Sequence, residues 1–164
     1  MRRLVLVVHN VRSAHNTGSL LRTADGLGVE KVYLTGYTPY PVTPDDKRLP
    51  HIGAKVTRQM HKTALGAEQS VTWEHAAEIR PVIDKLKLDG FIVLALEQAP
   101  GSVNLPNYTK KEPAALVVGN EISGLDEEVL GACDTVVSIP MAGRKESFNV
   151  AVAGAMALYH LKYR

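Results

Sequence analysis

Most of the side chains that could do chemistry fall in two polar segments near the C-terminus, about twenty residues apart. They are Gly119-Asn120-Glu121-Ile122-Ser123-Gly124 and Ile139-Pro140-Met141-Ala142-Gly143-Arg144-Lys145-Glu146-Ser147-Phe148-Asn149. Each follows a short apolar run that reads as a buried strand, so two polar loops leave a sheet at its carboxyl edge. In an open α/β sheet ligands bind at that edge, where backbone N–H and C=O groups beyond the last ladder bond are free to contact them. The six histidines show no H-E-x-x-H or Cys/His spacing, so no metal is expected. Ser123 and Ser147 lack the G-x-S-x-G elbow of a serine hydrolase.

Strands are expected at Leu4–Val8, Lys31–Leu34, Phe91–Leu96, Ala114–Val118 and Thr135–Ile139, each nearly continuous in Val, Leu or Ile as buried parallel strands are. Helices are expected between them at Thr17–Leu27, Ile52–Ala64, Ala76–Lys87 and Asp126–Ala132, with a last one at Val150–Tyr163. This alternation predicts an α/β fold. Tyr37–Pro50, with four prolines, reads as a stiff loop.

On a wheel of about 100° per residue, Leu20, Ala24 and Leu27 share one face of the first helix and Arg22 points about 160° from Leu20. Asn16, at the start of that helix, reads locally as an N-cap. Lys55, Arg58 and Lys62 make a basic stripe opposite Val56, Met60 and Ala64, suited to a phosphate backbone or simply to solvent. The last helix has no polar stripe over most of its length, so burial against a second subunit is expected, with packing under a loop as the alternative.

The 164 residues, 45% apolar, suit a single domain. The net charge of +2 conceals an asymmetry, because residues 1–70 hold 10 Lys/Arg against 5 Asp/Glu and residues 71–164 hold 9 against 12. A basic N-terminal half fits a polyanionic partner or a solvated face. One cysteine, Cys133, precludes an intramolecular disulfide and fits a cytoplasmic protein, with a buried thiol as its ordinary role. The run from Met1 to Val8 imitates a signal peptide but ends at His9 without a cleavage site, and reads as the first strand. No apolar run approaches the roughly 18–20 residues that span a bilayer, so no membrane role is expected.

Three segments together resemble the SpoU-type (TrmH-like) RNA methyltransferases of the SPOUT class. They are Asn16-Thr17-Gly18-Ser19-Leu20-Leu21-Arg22-Thr23-Ala24, Val117-Val118-Gly119-Asn120-Glu121-Ile122-Ser123-Gly124-Leu125, and Ile139-Pro140-Met141 through Ser147-Phe148-Asn149-Val150-Ala151. Phe148 departs from the family's usual Leu, and Ala151 from a frequent Ser. The resemblance implies a parallel sheet flanked by helices, with a C-terminal deep trefoil knot that makes an exception to unthreaded chains. It also implies one domain over residues 1–164 without a separate RNA-recognition domain, a homodimer, and tRNA or rRNA as substrate.

The implied cofactor is S-adenosylmethionine, held largely by backbone groups at Leu96, Gly119, Asn120, Ile139, Met141, Ser147, Phe148 and Asn149. The implied reaction is methyl transfer to a ribose 2′-hydroxyl. By resemblance Arg22 is the candidate base, although a guanidinium keeps its proton at any ordinary pH. Its alternative role is to hold phosphate and ribose with its planar fork. Asn16, Glu121, Ser147 and Asn149 are expected to frame Arg22 and the substrate, with Glu121 as partner for a guanidinium or a ribose hydroxyl. Arg144 and Lys145 join Lys55, Arg58 and Lys62 as candidate RNA contacts. The competing readings are a SPOUT base-nitrogen methyltransferase and a non-catalytic RNA-binding dimer.

Overall fold

The structure, a computed structural model, describes residues 3–109 and 113–164; Met1 and Arg2, read above with the first strand, lie outside the described residues. Seven strands form one parallel sheet: β1 (Leu4–His9), β2 (Lys31–Thr35), β3 (Trp73–Ala76), β4 (Ile92–Leu96), β5 (Val103–Asn104), β6 (Ala114–Val118) and β7 (Thr135–Ser138). Their order is β3-β2-β1-β6-β4-β7-β5. All six residues of β1 are buried, because it lies between β2 and β6 and is covered on both faces. Leu4, Leu6 and Val8 face one core and Val5 and Val7 the other, as the period of two requires.

The first core packs beneath α1 (Ala14–Leu27), α2 (Pro50–Ala64), α3 (Ala67–Ser70) and α6 (Val150–Tyr163). The second packs beneath α4 (Arg80–Leu88) and α5 (Glu127–Ala132). Helices α1 and α2 approach closely at Gly18, where an added Cβ would lie 2.4 Å from the Met60 carbonyl oxygen and 2.3 Å from the Thr63 hydroxyl. Only glycine permits that crossing.

Three expectations need correction. The first helix begins at Ala14, three residues before the expected start, because Ser13 is its N-cap and accepts from the Asn16 N–H. Asn16 is therefore inside the first turn and its side chain is free for other partners. The expected helix Ala76–Lys87 is two elements: Trp73–Ala76 forms the edge strand β3, and α4 starts at Arg80. Pro81 sets that start, since a proline suits a first helical turn and no interior one. The two-residue β5 has no counterpart among the expected strands.

Helix α6 buries Gly154, Ala157, Leu158 and Leu161. Val152, Met156, Tyr159 and Tyr163 are left exposed on a second stripe of the same helix. The 36–50 loop is anchored by Arg48, whose guanidinium pairs with Asp46, donates to the carbonyls of Tyr40 and Pro41, and lies over the Tyr40 ring. Burial pushes the Cys133 thiol up to about 11, leaving it protonated. Among the described residues no helix is long and apolar enough to cross a membrane.

Candidate active site

A cleft of about 250 Å³ opens at the carboxyl edge of β4, β6 and β7. Its walls come from the loops that follow those strands and from the start of α6. Of the residues expected to hold a cofactor, Leu96, Gly119, Asn120, Ile139, Ser147 and Phe148 line it. Met141 and Asn149 do not. Val118, Ile122, Ser123, Gly124 and Glu146 line it from the segments expected to meet a ligand, and Glu97, Gln98 and Ala153 line it without having been expected. Glu97 and Gln98 follow a buried parallel strand directly, which is the same signal that marked the other two loops.

The loop after β6 is closed on itself by reciprocal backbone hydrogen bonds between Asn120 and Gly124. Gly124 has φ +67, a left-handed conformation that favours glycine. A Cβ on Gly119 would lie 2.8 Å from the Gly124 backbone, so both glycines are needed for so tight a loop. The Asn120 amide fills it: Oδ1 accepts from the N–H groups of Ile122 and Ser123, and Nδ2 donates to the Asn10 carbonyl and the Tyr37 hydroxyl. All four hydrogen-bonding positions of that amide are occupied within the protein. Glu97 supports the same loop by accepting from the Leu125 N–H at 2.9 Å. Gln98 ties the cleft's far wall by donating to the Ile139 carbonyl at 2.6 Å.

Glu121 connects this loop to α1. Its Oε2 accepts from the Arg12 N–H at 2.9 Å, and its Oε1 accepts from the Ser13 N–H at 3.1 Å and from Asn16 Nδ2 at 2.9 Å. Asn16 Oδ1 accepts in turn from Asn149 Nδ2 at 3.1 Å. Asn149 is the N-cap of α6, its Oδ1 accepting from the N–H groups of Ala151 and Val152. Three residues far apart in sequence thus form one chain of hydrogen bonds joining the starts of two helices to the cleft. Burial acts to raise the Glu121 pKa, but the Arg12 N–H and the Asn16 amide outweigh it and hold the carboxyl below its usual range.

The expected frame of Asn16, Glu121 and Asn149 is assembled, whereas Arg22 is outside it. Glu121's carboxylate meets backbone N–H groups and an amide, with no guanidinium against it. Arg22 is exposed on the open flank of α1 and does not line the cleft of its own chain. Ser147 lines the cleft, and Arg144 and Lys145 are exposed on the same loop. Lys55, Arg58 and Lys62 are exposed on the side of α2 away from the buried Met60.

Electrostatically the cleft has one sign. Glu97, Glu121 and Glu146 line it, and none of the described lining residues is Lys or Arg. Leu96, Val118, Ile139, Phe148 and Val150 add apolar surface. Such a site suits a ligand with a flat apolar part and a positive charge, and it disfavours a nucleotide phosphate.

Comparisons with known proteins agree with this architecture. A model of the SpoU rRNA Methylase family matches residues 3–159. The chain is 32% identical over 162 residues to the tRNA (guanosine(18)-2'-O)-methyltransferase of Borreliella burgdorferi, covering 98% of this chain and 66% of that one. It is 35% identical over 157 residues to a 23S rRNA (guanosine-2'-O-)-methyltransferase of Nitrosomonas europaea, covering 95% of this chain and 54% of that one. The chain therefore spans between about half and two thirds of the length of these relatives. Its fold superposes on the AdoMet-bound rRNA methyltransferase from Sinorhizobium meliloti with a TM-score of 0.81 and 26% identity, covering 97% of this chain and 55% of that one. With nearly its whole length matched and the loops after β4, β6 and β7 brought to one sheet edge, the chain belongs to the SpoU rRNA methylase family.

Proposed function

We propose that this protein is an S-adenosylmethionine-dependent methyltransferase acting in the cytoplasm on a ribose 2′-hydroxyl of tRNA or rRNA, through a single domain over residues 1–164. The observation that carries this reading is the carboxylate-lined, cation-free cleft at the carboxyl edge of the sheet. Its charge fits a sulfonium, and its apolar walls fit an adenine ring. Leu96, Gly119, Ile139, Ser147 and Phe148 would hold that cofactor together with Gln98 and Val150, which also line the cleft. When bound, it supplies an electrophilic methyl group. The relatives named above support both the cofactor and the RNA substrate. Glu146, Ser147, Phe148, Val150 and Ala153 line the same cleft as the loops after β4 and β6, which supports a C-terminal segment threaded as a trefoil knot.

The chain's own task is to hold the ribose, whose hydroxyl proton would pass to solvent water as the oxygen takes the methyl. Arg22 is assigned the holding role, because a guanidinium keeps its own proton and grips phosphate with a planar fork. Since Arg22 is outside its own chain's cleft, it serves the cleft of a second copy. The exposed stripe Val152, Met156, Tyr159 and Tyr163 on α6 supports a homodimer. That helix packs beside α1, where Gly154 approaches Leu20, so a partner covering α6 also meets the open flank of α1. Lys55, Arg58 and Lys62, with Arg144 and Lys145, are assigned to the RNA backbone.

The test is incubation with labelled S-adenosylmethionine and separate tRNA and rRNA pools, followed by nucleoside mass spectrometry. A 2′-O-methylnucleoside is expected, and a base-methylated one would overturn the ribose assignment. Arg22→Ala should lower turnover on the order of 10²- to 10⁴-fold and leave S-adenosylmethionine binding unchanged. Mixing it with a variant whose cleft is blocked by Gly119→Val should restore part of the activity, because one mixed cleft then has both parts. No restoration in verified mixed dimers rejects service across the interface.

A further inference from the structure

We infer that Tyr37, with Ile122 beside it, is a stacking platform for a nucleobase of the RNA next to the methylated ribose; this rests on the RNA methyltransferase reading above. Tyr37 is 60% exposed, yet both ends of the residue are tied down. Its N–H donates to Asn10 Oδ1 at 3.1 Å, and its hydroxyl accepts from Asn120 Nδ2 at 2.8 Å. An exposed aromatic ring is ordinarily mobile, and ordering it on binding opposes affinity. Here the ring is ordered in advance.

Its position is set by the cleft. Asn120 lines the cleft and links Tyr37 on one side to Ile122 on the other through the Ile122 N–H. Ile122 is 81% exposed and also lines the cleft. Two large exposed side chains therefore belong to residues that meet one amide; Ile122 and that amide line the cleft, and Tyr37 lies just outside its lining, held through the Asn120 contact. Neither side chain belongs to the two buried cores.

A nucleobase is the occupant their chemistry favours. Every base has a π-face, and stacking on an aromatic ring is how single-stranded RNA is held without sequence reading. Arg12 adds the complementary contact, because its exposed side chain leaves the segment whose N–H is fixed by Glu121, one residue before Ile122. Its guanidinium can meet the phosphate of the nucleotide whose base lies on Tyr37.

The experiment compares two short single-stranded RNAs of equal length, one with normal bases and one with abasic sites, by fluorescence anisotropy. S-adenosylmethionine binding is measured alongside by calorimetry. Tyr37→Ala should weaken binding of the base-bearing RNA about 5- to 100-fold, or about 1–3 kcal/mol at 1.4 kcal/mol per tenfold, and leave the abasic RNA unchanged. Tyr37→Phe keeps the ring and should keep the preference for bases. If Tyr37→Ala binds both RNAs as the wild type does, the platform is wrong. If Tyr37→Phe and Tyr37→Ala lose S-adenosylmethionine binding alike, Tyr37 is a strut for Asn120 and the platform is again wrong. Failure of the wild type to methylate any RNA rejects the enzyme reading separately, because the base preference is read by binding alone.

Discussion

Replacing Glu121 by Ala removes the acceptor that ties the cleft loop to the start of α1. The carboxylate accepts three hydrogen bonds, from the Arg12 N–H, the Ser13 N–H and the Asn16 side chain. Hydrogen bonds to a charged group contribute about 1.5–3 kcal/mol each, so three would give roughly 4.5–9 kcal/mol in a dry interior. The carboxylate is only partly buried, and water can replace the lost partners, so about half is expected, roughly 2–4 kcal/mol. At 2–4 °C per kcal/mol for a chain of this size, the melting temperature should fall by about 4–16 °C. Urea denaturation gives the free energy directly, with an unchanged slope showing that the same surface unfolds. Because Glu121 titrates below its usual range in the folded protein, its contribution is fully present above the ordinary carboxylate pKa. It disappears as pH falls through the lower folded value. The difference between wild type and Glu121→Ala should therefore be constant near neutrality and shrink below about pH 4. The double variant with Asn16→Ala should be less destabilised than the sum of the single variants, because both remove one shared bond. A Glu121→Ala protein within about 0.5 kcal/mol of wild type at pH 7, or additive single effects, refutes the network as a source of stability.

Gly18→Ala should destabilise by about 1–3 kcal/mol in the same urea assay, because the new methyl meets the Met60 carbonyl on a facing helix and the two backbones must separate; a neutral effect would mean that α1 and α2 are not held at this distance. Replacing Lys55, Arg58 and Lys62 together by Gln should weaken RNA binding and flatten its dependence on salt, with S-adenosylmethionine affinity unchanged. An unaltered salt slope would leave that stripe as a solvated face of α2.

The central strands were legible because a strand covered on both faces must be apolar at every position, and such runs announce themselves. The edge strand β3 was not. Trp73, Glu74, His75 and Ala76 are half-buried or exposed, with none fully buried, and their pairing with β2 is a property of the sheet, not of the segment. The start of α1 was missed for a related reason. Asn16 and Ser13 are both good cap residues, and local preference cannot choose between them. The choice is made by Glu121 and Asn149, 105 and 133 residues away, which claim the Asn16 side chain and leave Ser13 to cap the helix. The wheel placed Arg22 off the core, and it is exposed. What Arg22 faces depends on surfaces beyond its own helix, on which the wheel is silent.

The same arrangement separates two kinds of site residue. Asn16, Glu121 and Asn149 carry both fold and site, because their hydrogen bonds join α1, α6 and the cleft loop in one chain. Any substitution among them alters stability and the shape of the cleft together, so a loss of turnover there does not identify a chemical role. Arg22 and Tyr37 differ in opposite ways from that frame. The Arg22 side chain is exposed and makes no hydrogen bond to another described residue, so its removal takes away a side chain and nothing that the fold uses. Tyr37 is exposed but tied at both ends, so only the pair of Phe and Ala variants separates its ring from its hydroxyl. Function is therefore best read at positions that the fold does not need, and the frame is best read by its coupling energies.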